Sequence, residues 1–510
     1  MKDKMEVETK ISVSKVNGDM DDKNVKVSPK ESFSLWKLIK KILTFFTVEP
    51  YLLCYIFSST LCNKALQDYH RDKVFQIKLD YILSNPVDEE TSFNITFEAL
   101  DDMNKRVTDM YAWLGPLNIG LQAIFILSVG AWSDRTGNRK ALLLIPIIGQ
   151  VMSVIGLMIG NYYYYEIPFW VMDLFEQMPS IFAGGIPAAI VGSLSFIADV
   201  TTPEERTFRI GVVMVIVDLG LLMDLRISAI LTKAVSYYEI FGIAILMYLV
   251  GLIYAIFRIH DVRRTKVERK FYKKLTQFFH PKNIWDTISL IFLTRGRMLA
   301  QIILVIGAAI VLQVALYGAG TLLYRYAKDR YGMEPKEFIF FSTYSIIVSD
   351  VGSAIALIIF SKWMSMHDCV LGMIGTTSGI LTFIVYGLAP NIDLFYNGPV
   401  FDLFTSTGGM VIRSLGTKIV DPDKVGTMCS LIHFVYTVYP IISKPMFEKI
   451  FNATFDTFPG TIYILGAVMT VPAYFIFAIL YYLLRKQQRD VVQNPNTKEM
   501  HAYENEVTVL

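Results

Sequence analysis

Gly130-Ala131-Trp132-Ser133-Asp134-Arg135-Thr136-Gly137-Asn138-Arg139-Lys140 separates two apolar runs, residues 117–132 and 141–159. Each run approaches the roughly 20 residues that an α-helix needs to cross a hydrocarbon core about 30 Å thick. The turn between them holds one acid, three bases and Gly137, which can adopt backbone conformations closed to other residues. A short charged turn joining two membrane-length helices excludes a soluble fold for this stretch.

The rest of the chain extends that reading. Of its 510 residues, 53% are hydrophobic and only 18% charged, too apolar for a soluble protein of this length. Apolar windows recur near 48–66, 112–132, 139–160, 174–198, 208–232, 238–258, 298–322, 338–360, 368–388, 397–419, 425–445 and 460–484. The expected fold is therefore an all-α membrane protein with twelve transmembrane helices. The polar stretch 260–297 divides them into two six-helix bundles, 46–259 and 298–484, flanked by a disordered tail at 1–45 and a second tail at 485–510.

Charge sets the expected orientation, because Lys and Arg collect in cytosolic loops. Residues 258–297 carry eleven bases, among them Arg263, Arg264, Lys266, Arg269, Lys270, Lys273 and Lys274, against three acids. Residues 67–111, read as an extracellular loop, carry ten acids against five bases. Both termini are thus expected in the cytosol, with the first apolar helix serving as an uncleaved signal-anchor. The sequons at Asn94 and Asn452 both fall on the outer side in this topology, as N-glycosylation requires. The basic loop also suits anionic lipid headgroups, and the aromatic run Tyr162–Tyr165 with Trp170 suits a membrane interface.

Other chemistries find no support in the sequence. Cys54, Cys62, Cys369 and Cys429 lie in or beside apolar windows and read as small buried side chains, with no disulfide framework or metal site. No nucleotide-binding loop, zinc-protease motif or nucleophile elbow is present, so neither an enzyme nor an ATP-driven pump is expected, no cofactor is implied, and nucleic acid is not an expected partner. The terminal Thr508-Val509-Leu510 fits the short carboxyl-terminal form captured by PDZ domains.

The turn at 130–140 resembles the G-x-x-x-D-R-x-G-R-[RK] signature of major facilitator transporters, with Asn138 at a position where many members carry Arg or Gly. Ala198-Asp199-Val200 followed by Arg206-Thr207-Phe208-Arg209 is similar to a segment of solute carrier family 46, the group that includes the proton-coupled folate transporter. Val48-Glu49-Pro50 and Val411-Ile412-Arg413-Ser414 extend the likeness over residues 48–484. The resemblance implies a major facilitator fold and proton-driven import of an organic anion such as folate. Two departures weigh on the substrate. The family's proton-coupling acid, five positions after the RTFR arginine, is Met214 here, and a seventh-helix histidine is replaced by Val314. The outer loops also lack the cysteines that would form a loop-to-loop disulfide of the folate-transporter kind.

Charge inside an apolar window costs about 2.5–3.5 kcal/mol at a helix centre on insertion scales, so such residues usually face a cavity. Asp218, one turn beyond Met214 on the same helix face, and Asp350 are the candidate proton-coupling groups. Arg413 and Arg226, with Gln313 and Tyr317, are the candidate substrate contacts, a guanidinium being suited to bidentate carboxylate binding. Structural pairing of Asp218 with Arg226, or of Arg413 with Asp350 or a backbone carbonyl, is the competing reading. Asp134, Arg135, Gly137, Arg139, Asp199, Arg206 and Arg209 are the candidate gate; Asp134 can pair with Arg135 or Arg139, or accept from a neighbouring helix N-terminus. His433, Gln301 and His280 are weaker candidates. The expected partners are a small organic anion, protons and the lipid bilayer, at the plasma membrane or alternatively the lysosomal membrane. Proton-antiporting efflux and a transport-inactive receptor or scaffold remain as alternatives.

Overall fold

The computed structural model describes residues 46–84, 89–261, 277–278 and 280–493, and the chain from Thr47 onward forms a unit of its own. The side chains of residues 71, 74–104, 106–107, 169, 224–226, 229, 232–233 and 491–493 lie outside the described set, as do residues 1–45, 85–88, 262–276, 279 and 494–510. The readings placed on Asn94, Arg226, Arg263–Lys274 and Thr508–Leu510 therefore fall outside the described residues.

Every apolar window is helical. In chain order the helices are α1 (Glu49–Ser84), α2 (Glu89–Thr136), α3 (Arg139–Tyr162), α4 (Phe169–Phe182), α5 (Gly185–Val200), α6 (Pro203–Ala234), α7 (Tyr237–Arg258), α8 (Lys282–Leu293) and α9 (Gly296–Thr321). They continue as α10 (Leu323–Tyr331), α11 (Pro335–Ile355), α12 (Asp368–Leu388), α13 (Ile392–Tyr396), α14 (Gly398–Phe401), α15 (Ser406–Ile419), α16 (Val425–Thr454) and α17 (Thr461–Gln493). Among the described residues, nine helical stretches are long and apolar enough to span a bilayer by length and composition alone. The first and fifth windows, on α1 and α6, fall short of that test because polar side chains interrupt them, and the tenth because α14 and α15 have only 4 and 14 residues.

Three expectations need correction. The stretch 67–111, read as a loop, is helical on both sides of residues 85–88. Hydropathy marks the part of a helix that sits in hydrocarbon, whereas a polar continuation keeps its backbone hydrogen bonds without it. The fourth window is two helices, because Pro179 lies near the end of α4 and Gly184 and Gly185 turn the chain with φ of 87° and 55°. The stretch 260–297 is not loop throughout: α8 packs on α2 and α16, with Thr287 Oγ1 donating to the Leu127 carbonyl at 2.6 Å. Phe278 lies against Phe125 and Trp132, at 4.7 and 5.3 Å between ring centroids.

The two halves meet mainly where α2 and α5 pack on α16, and where α6 packs on α11 and α15. Glycine permits the first of these contacts. A Cβ on Gly130 would fall 2.0 Å from the Gly426 carbonyl oxygen, and one on Gly426 would fall 2.5 Å from Arg139 Nη1 and 2.7 Å from Asp134 Oδ1. Of the four cysteines, Cys62, Cys369 and Cys429 are buried and Cys54 is half-buried. Tyr162, Tyr165 and Trp170 are exposed, as an interfacial position requires. Gly130→Val and Gly426→Val should each destabilise the protein by about 1–3 kcal/mol, the usual cost of overpacking. The measurement is thermal unfolding in detergent; unchanged melting in both would show that α2 and α16 separate without cost.

Candidate functional site: a latch at one end and a charged group between the halves

The turn quoted above joins the two halves of the molecule at one end. Gly137 takes φ of 67°, which lets α2 end and α3 begin within two residues. That reversal places Arg139, the first residue of α3, between two acids: its Nη2 pairs with Asp134 Oδ1 at 2.7 Å and its Nε with Asp199 Oδ2 at 2.9 Å. The Arg139 side chain is 1% exposed and those of Asp134 and Asp199 are 6% and 3% exposed, so the three charges are solvated by one another. Asp134 also crosses to the other half. It accepts from the Gly426 and Thr427 N–H groups, at 3.0 and 2.7 Å, and from Thr427 Oγ1 at 2.8 Å. These N–H groups begin α16, where the helix dipole favours an anion.

Arg135 takes no part in that centre; it pairs with Asp286 on α8 at 2.5 Å. Arg206 on α6 reaches across to the Thr417 carbonyl at 2.8 Å and back to that of Ala198 at 2.8 Å. Arg209 instead ties α6 to the start of α1, pairing with Glu49 at 3.0 Å and donating to Thr47 Oγ1 at 2.9 Å.

A second latch lies beside the first. Asp368, the first residue of α12, pairs with Lys418 Nζ at 2.6 Å and accepts from Thr207 Oγ1 of α6 at 2.8 Å. Thr207 Oγ1 also lies 2.7 Å from Ser414 Oγ and accepts from Lys418 Nζ at 2.7 Å. The positions repeat those of the first half. Arg139 opens α3 and Asp199 is the penultimate residue of α5; Asp368 opens α12 and Lys418 is the penultimate residue of α15. The signs are exchanged, so a search for the Gly and Arg pattern at residues 361–368 finds nothing, although the charge pair is there.

Between the halves, Asp218 of α6 lies within electrostatic range of Asp350 of α11 and Arg413 of α15. Asp350 is 9% exposed, and its Oδ2 completes no hydrogen bond with a described group. Arg413 donates through Nη1 to the Gly409 carbonyl at 3.1 Å and lies over the Tyr436 ring at 4.4 Å, leaving Nε without a described partner. Gln313 borders the same spot, its Nε2 lying 3.9 Å from where a Cβ on Gly409 would stand. Tyr317 meets Tyr439 edge-on at 5.1 Å, and Tyr439 in turn lies within range of Arg413. His433 donates through Nδ1 to the Cys429 carbonyl at 2.9 Å and packs on Tyr436 at 5.6 Å.

Other candidates lie elsewhere. Gln301 donates to Gln487 Oε1 at 3.1 Å, tying α9 to α17, and exposed His280 accepts from the Lys282 N–H at 3.1 Å. Val314, in place of the resembled histidine, is buried with its carbonyl bonded to Ser443 Oγ, and Met214 is buried in the core. A cavity of 510 Å³ lined by Thr377, Ser378, Phe404 and Tyr474, among others, has no charged residue in its lining and is separate from the Asp218 group. Among the described residues, no set of three His, Cys, Asp or Glu side chains is placed to hold a metal ion.

A helical protein whose two bundles are latched around buried intramembrane charge is a membrane transporter of the major facilitator type. Residues 91–444 match the Major Facilitator Superfamily model, and the chain belongs to that superfamily. The curated proteins it is similar to include members of solute carrier family 46. It is 24% identical over 446 residues to a lysosomal proton-coupled steroid conjugate and bile acid symporter of Gallus gallus, covering 82% of this chain and 90% of that one. It is 22% identical over 385 residues to the proton-coupled folate transporter of Rattus norvegicus, covering 74% and 81%. Among solved structures, the human organic anion transporter MFSD10 aligns over 86% of this chain and 99% of its own at 10% identity, with a TM-score of 0.60. An outward form of FucP aligns over 84% and 98% at 13% identity, with a TM-score of 0.57, and both show a shared fold.

Removing Arg139 strands two buried acids, so Arg139→Met should cost about 3–5 kcal/mol of stability. Asp368→Asn and Lys418→Met should each cost about 1.5–3 kcal/mol. The exchanged pair Asp368→Lys with Lys418→Asp should recover more than half of that loss, since the Thr207 hydroxyl can donate or accept; melting temperatures of the four variants decide it. Burial holds the His367 imidazole below its ordinary range, and the nearby Lys418 and Arg485 add to this while Asp368 opposes it. Its Nδ1 accepts from the Cys369 N–H at 3.2 Å, capping α12. That contribution is complete above the unfolded-state value of about 6.5 and is lost as the pH falls through the lower folded value. His367→Ala should therefore lower the melting temperature at neutral pH and leave it nearly unchanged in acid.

Proposed function

We propose that the protein is a proton-coupled symporter of an organic anion that works by alternating access. The observation that carries this reading is the convergence of Asp218 from one half with Asp350 and Arg413 from the other. Two acids facing one arginine between mobile halves can exchange a proton for an attraction to a substrate anion. A proton on Asp218 or Asp350 leaves Arg413 with less internal neutralisation and more affinity for a carboxylate or sulfate. Arg413 keeps an unpartnered edge for such a group, and Gln313, Tyr317 and Tyr439 lie beside it. Arg226 stays a candidate substrate contact on sequence grounds alone.

The latch holds the turn end shut, so the substrate would enter from the opposite end in this arrangement. We assign the turn end to the cytosol, since the Lys- and Arg-rich stretch 258–297 lies between helices that end there. Exposed Asn452 would then face the lumen or the exterior and be glycosylated, as would Asn94. Opening requires the Asp134 and Asp368 contacts to break together, which gives Arg135, Gly137, Arg206 and Arg209 their part in the gate. The plasma membrane is the proposed location, with the lysosome as the alternative suggested by the relatives named for it; surface biotinylation against lysosomal staining separates the two. The terminal Thr508-Val509-Leu510 is proposed as a PDZ ligand, tested by pull-down with and without the last residue.

The functional test is uptake of labelled folate, a bile acid and a steroid sulfate by cells whose surface expression has been verified, in acidic and neutral medium, with and without a proton uncoupler. At least one probe should accumulate in acid and lose that accumulation with the uncoupler. Asp218→Asn should abolish the acid stimulation, and Arg413→Lys should raise KM roughly 10-fold or more through loss of the guanidinium's charge-assisted bonds. Uptake by Asp218→Asn with an unchanged pH profile would overturn the proton role of Asp218. Acid-driven efflux of preloaded probe would replace symport by antiport.

A further inference from the structure

Asp173 and Glu176 lie three positions apart on α4, on one face of the helix. Asp173 is 1% exposed and Glu176 8% exposed. The groups around them belong to the first half of the molecule. Tyr111 of α2 faces both carboxyls, and Tyr55 of α1 and Tyr248 of α7 face Glu176. Tyr111 Oη lies 3.3 Å from Nδ1 of His70, which is itself 1% exposed. Gln150 of α3 donates to Ser180 Oγ of α4 at 2.8 Å, next to the pair. Lys73, a buried cation farther along α1, is directed at the Ile167 carbonyl and lies 5.7 and 5.2 Å from the Tyr69 and Tyr164 ring centroids.

This arrangement is not that of a structural ion pair. The partners within reach are neutral: the Tyr111 hydroxyl faces Asp173, Gln150 faces the Tyr55 hydroxyl and Ser59 that of Tyr248, while Oε2 of Glu176 completes no hydrogen bond with a described group. Buried carboxylates ordinarily have hydrogen-bond partners, and two of them side by side in a helical bundle cannot both stay ionised without a compensating positive charge. The described groups facing the pair are tyrosines, which are neutral. Asp218, Asp350 and Arg413 belong to a different constellation, between the halves.

We propose that Asp173 and Glu176 form a second proton-binding site inside the N-terminal bundle, a carboxyl–carboxylate pair that holds one proton between them. Tyr111 and His70 continue the pair as a short chain of exchangeable protons leading to α1. The site titrates as a unit, because whichever carboxyl carries the proton offers it to the other. It stands apart from the symport reading, which can fail while this site remains, and the reverse.

The test is infrared titration of the full-length protein in lipid nanodiscs in sodium-free buffer. A protonated-carboxyl band should be present at neutral pH and persist in Asp218→Asn/Asp350→Asn. It should be lost in Asp173→Asn/Glu176→Gln, and Tyr111→Phe should move its frequency. A double variant whose carboxyl region matches that of the wild type would overturn the proposal. If that variant does not fold, an unmoved band in Tyr111→Phe overturns it equally. Loss of the wild-type band on adding sodium at constant pH would identify a cation site instead, and would also overturn it.

Discussion

The burial of Arg139 between Asp134 and Asp199 is the interaction on which the closed end of this transporter depends. A guanidinium this deeply buried is tolerable only because two carboxylates replace its water, and Asp134 is in turn held by the start of α16 in the opposite half. The same centre therefore anchors α2, α3 and α5 together and joins the halves. A transporter must break the second set of bonds without losing the first. The geometry suits that division: Asp134 can release the two N–H groups and the hydroxyl of α16 while keeping Arg139, so no charge is left unpaired when the end opens.

The second latch shows how internal symmetry outlives its sequence signature. Asp368 and Lys418 stand at the helix positions of Arg139 and Asp199 with the charges exchanged. An ion pair is indifferent to which partner carries which sign, so exchange preserves the attraction while erasing the motif. Thr207 makes the pair an inter-half contact, just as Thr427 does for Asp134. Helix α8 adds a third tie, because Arg135 and Leu127 of α2 hold it against the end of the first bundle.

The inter-half contacts and the Asp218 group share their helices. Arg206 and Thr207 lie on α6 with Asp218, which is eleven residues beyond Thr207 and hence about 16 Å along the axis. On α15 the separation shrinks to a single residue: Ser414, 2.7 Å from Thr207 Oγ1, follows Arg413 directly. Under the proposed role of Arg413, a substrate drawing on its guanidinium would act on a helix that also carries the latch. A rigid helix transmits such a displacement without any chain of side-chain rearrangements, provided that the latch has two discrete arrangements.

How much was legible follows from what each feature needs. Twelve apolar windows sufficed for twelve crossings because lipid contact demands apolar length irrespective of neighbours, and the turn at 130–140 was readable because its glycine and charges are contiguous. The same hydropathy missed the helical extensions of α1 and α2, which run beyond the apolar stretch and so carry no such signal. Asp218, Asp350 and Arg413 could be singled out as costly charges, but only folding brings three helices close enough for them to act on one another. Asp173 and Glu176 went unnoticed at the edge of their window, since i, i+3 acids look like a solvated helix face until burial is known. The choice of Arg139 over Arg135 as the partner of Asp134, and of Lys418 as the partner of Asp368, was likewise a tertiary decision. The sequence by itself determined the membrane class, the helix count and the reversing turn, because these depend on local composition and backbone freedom. Only the tertiary structure decided which charges pair and which groups Asp134 binds in the other half, because such contacts join residues up to 293 positions apart.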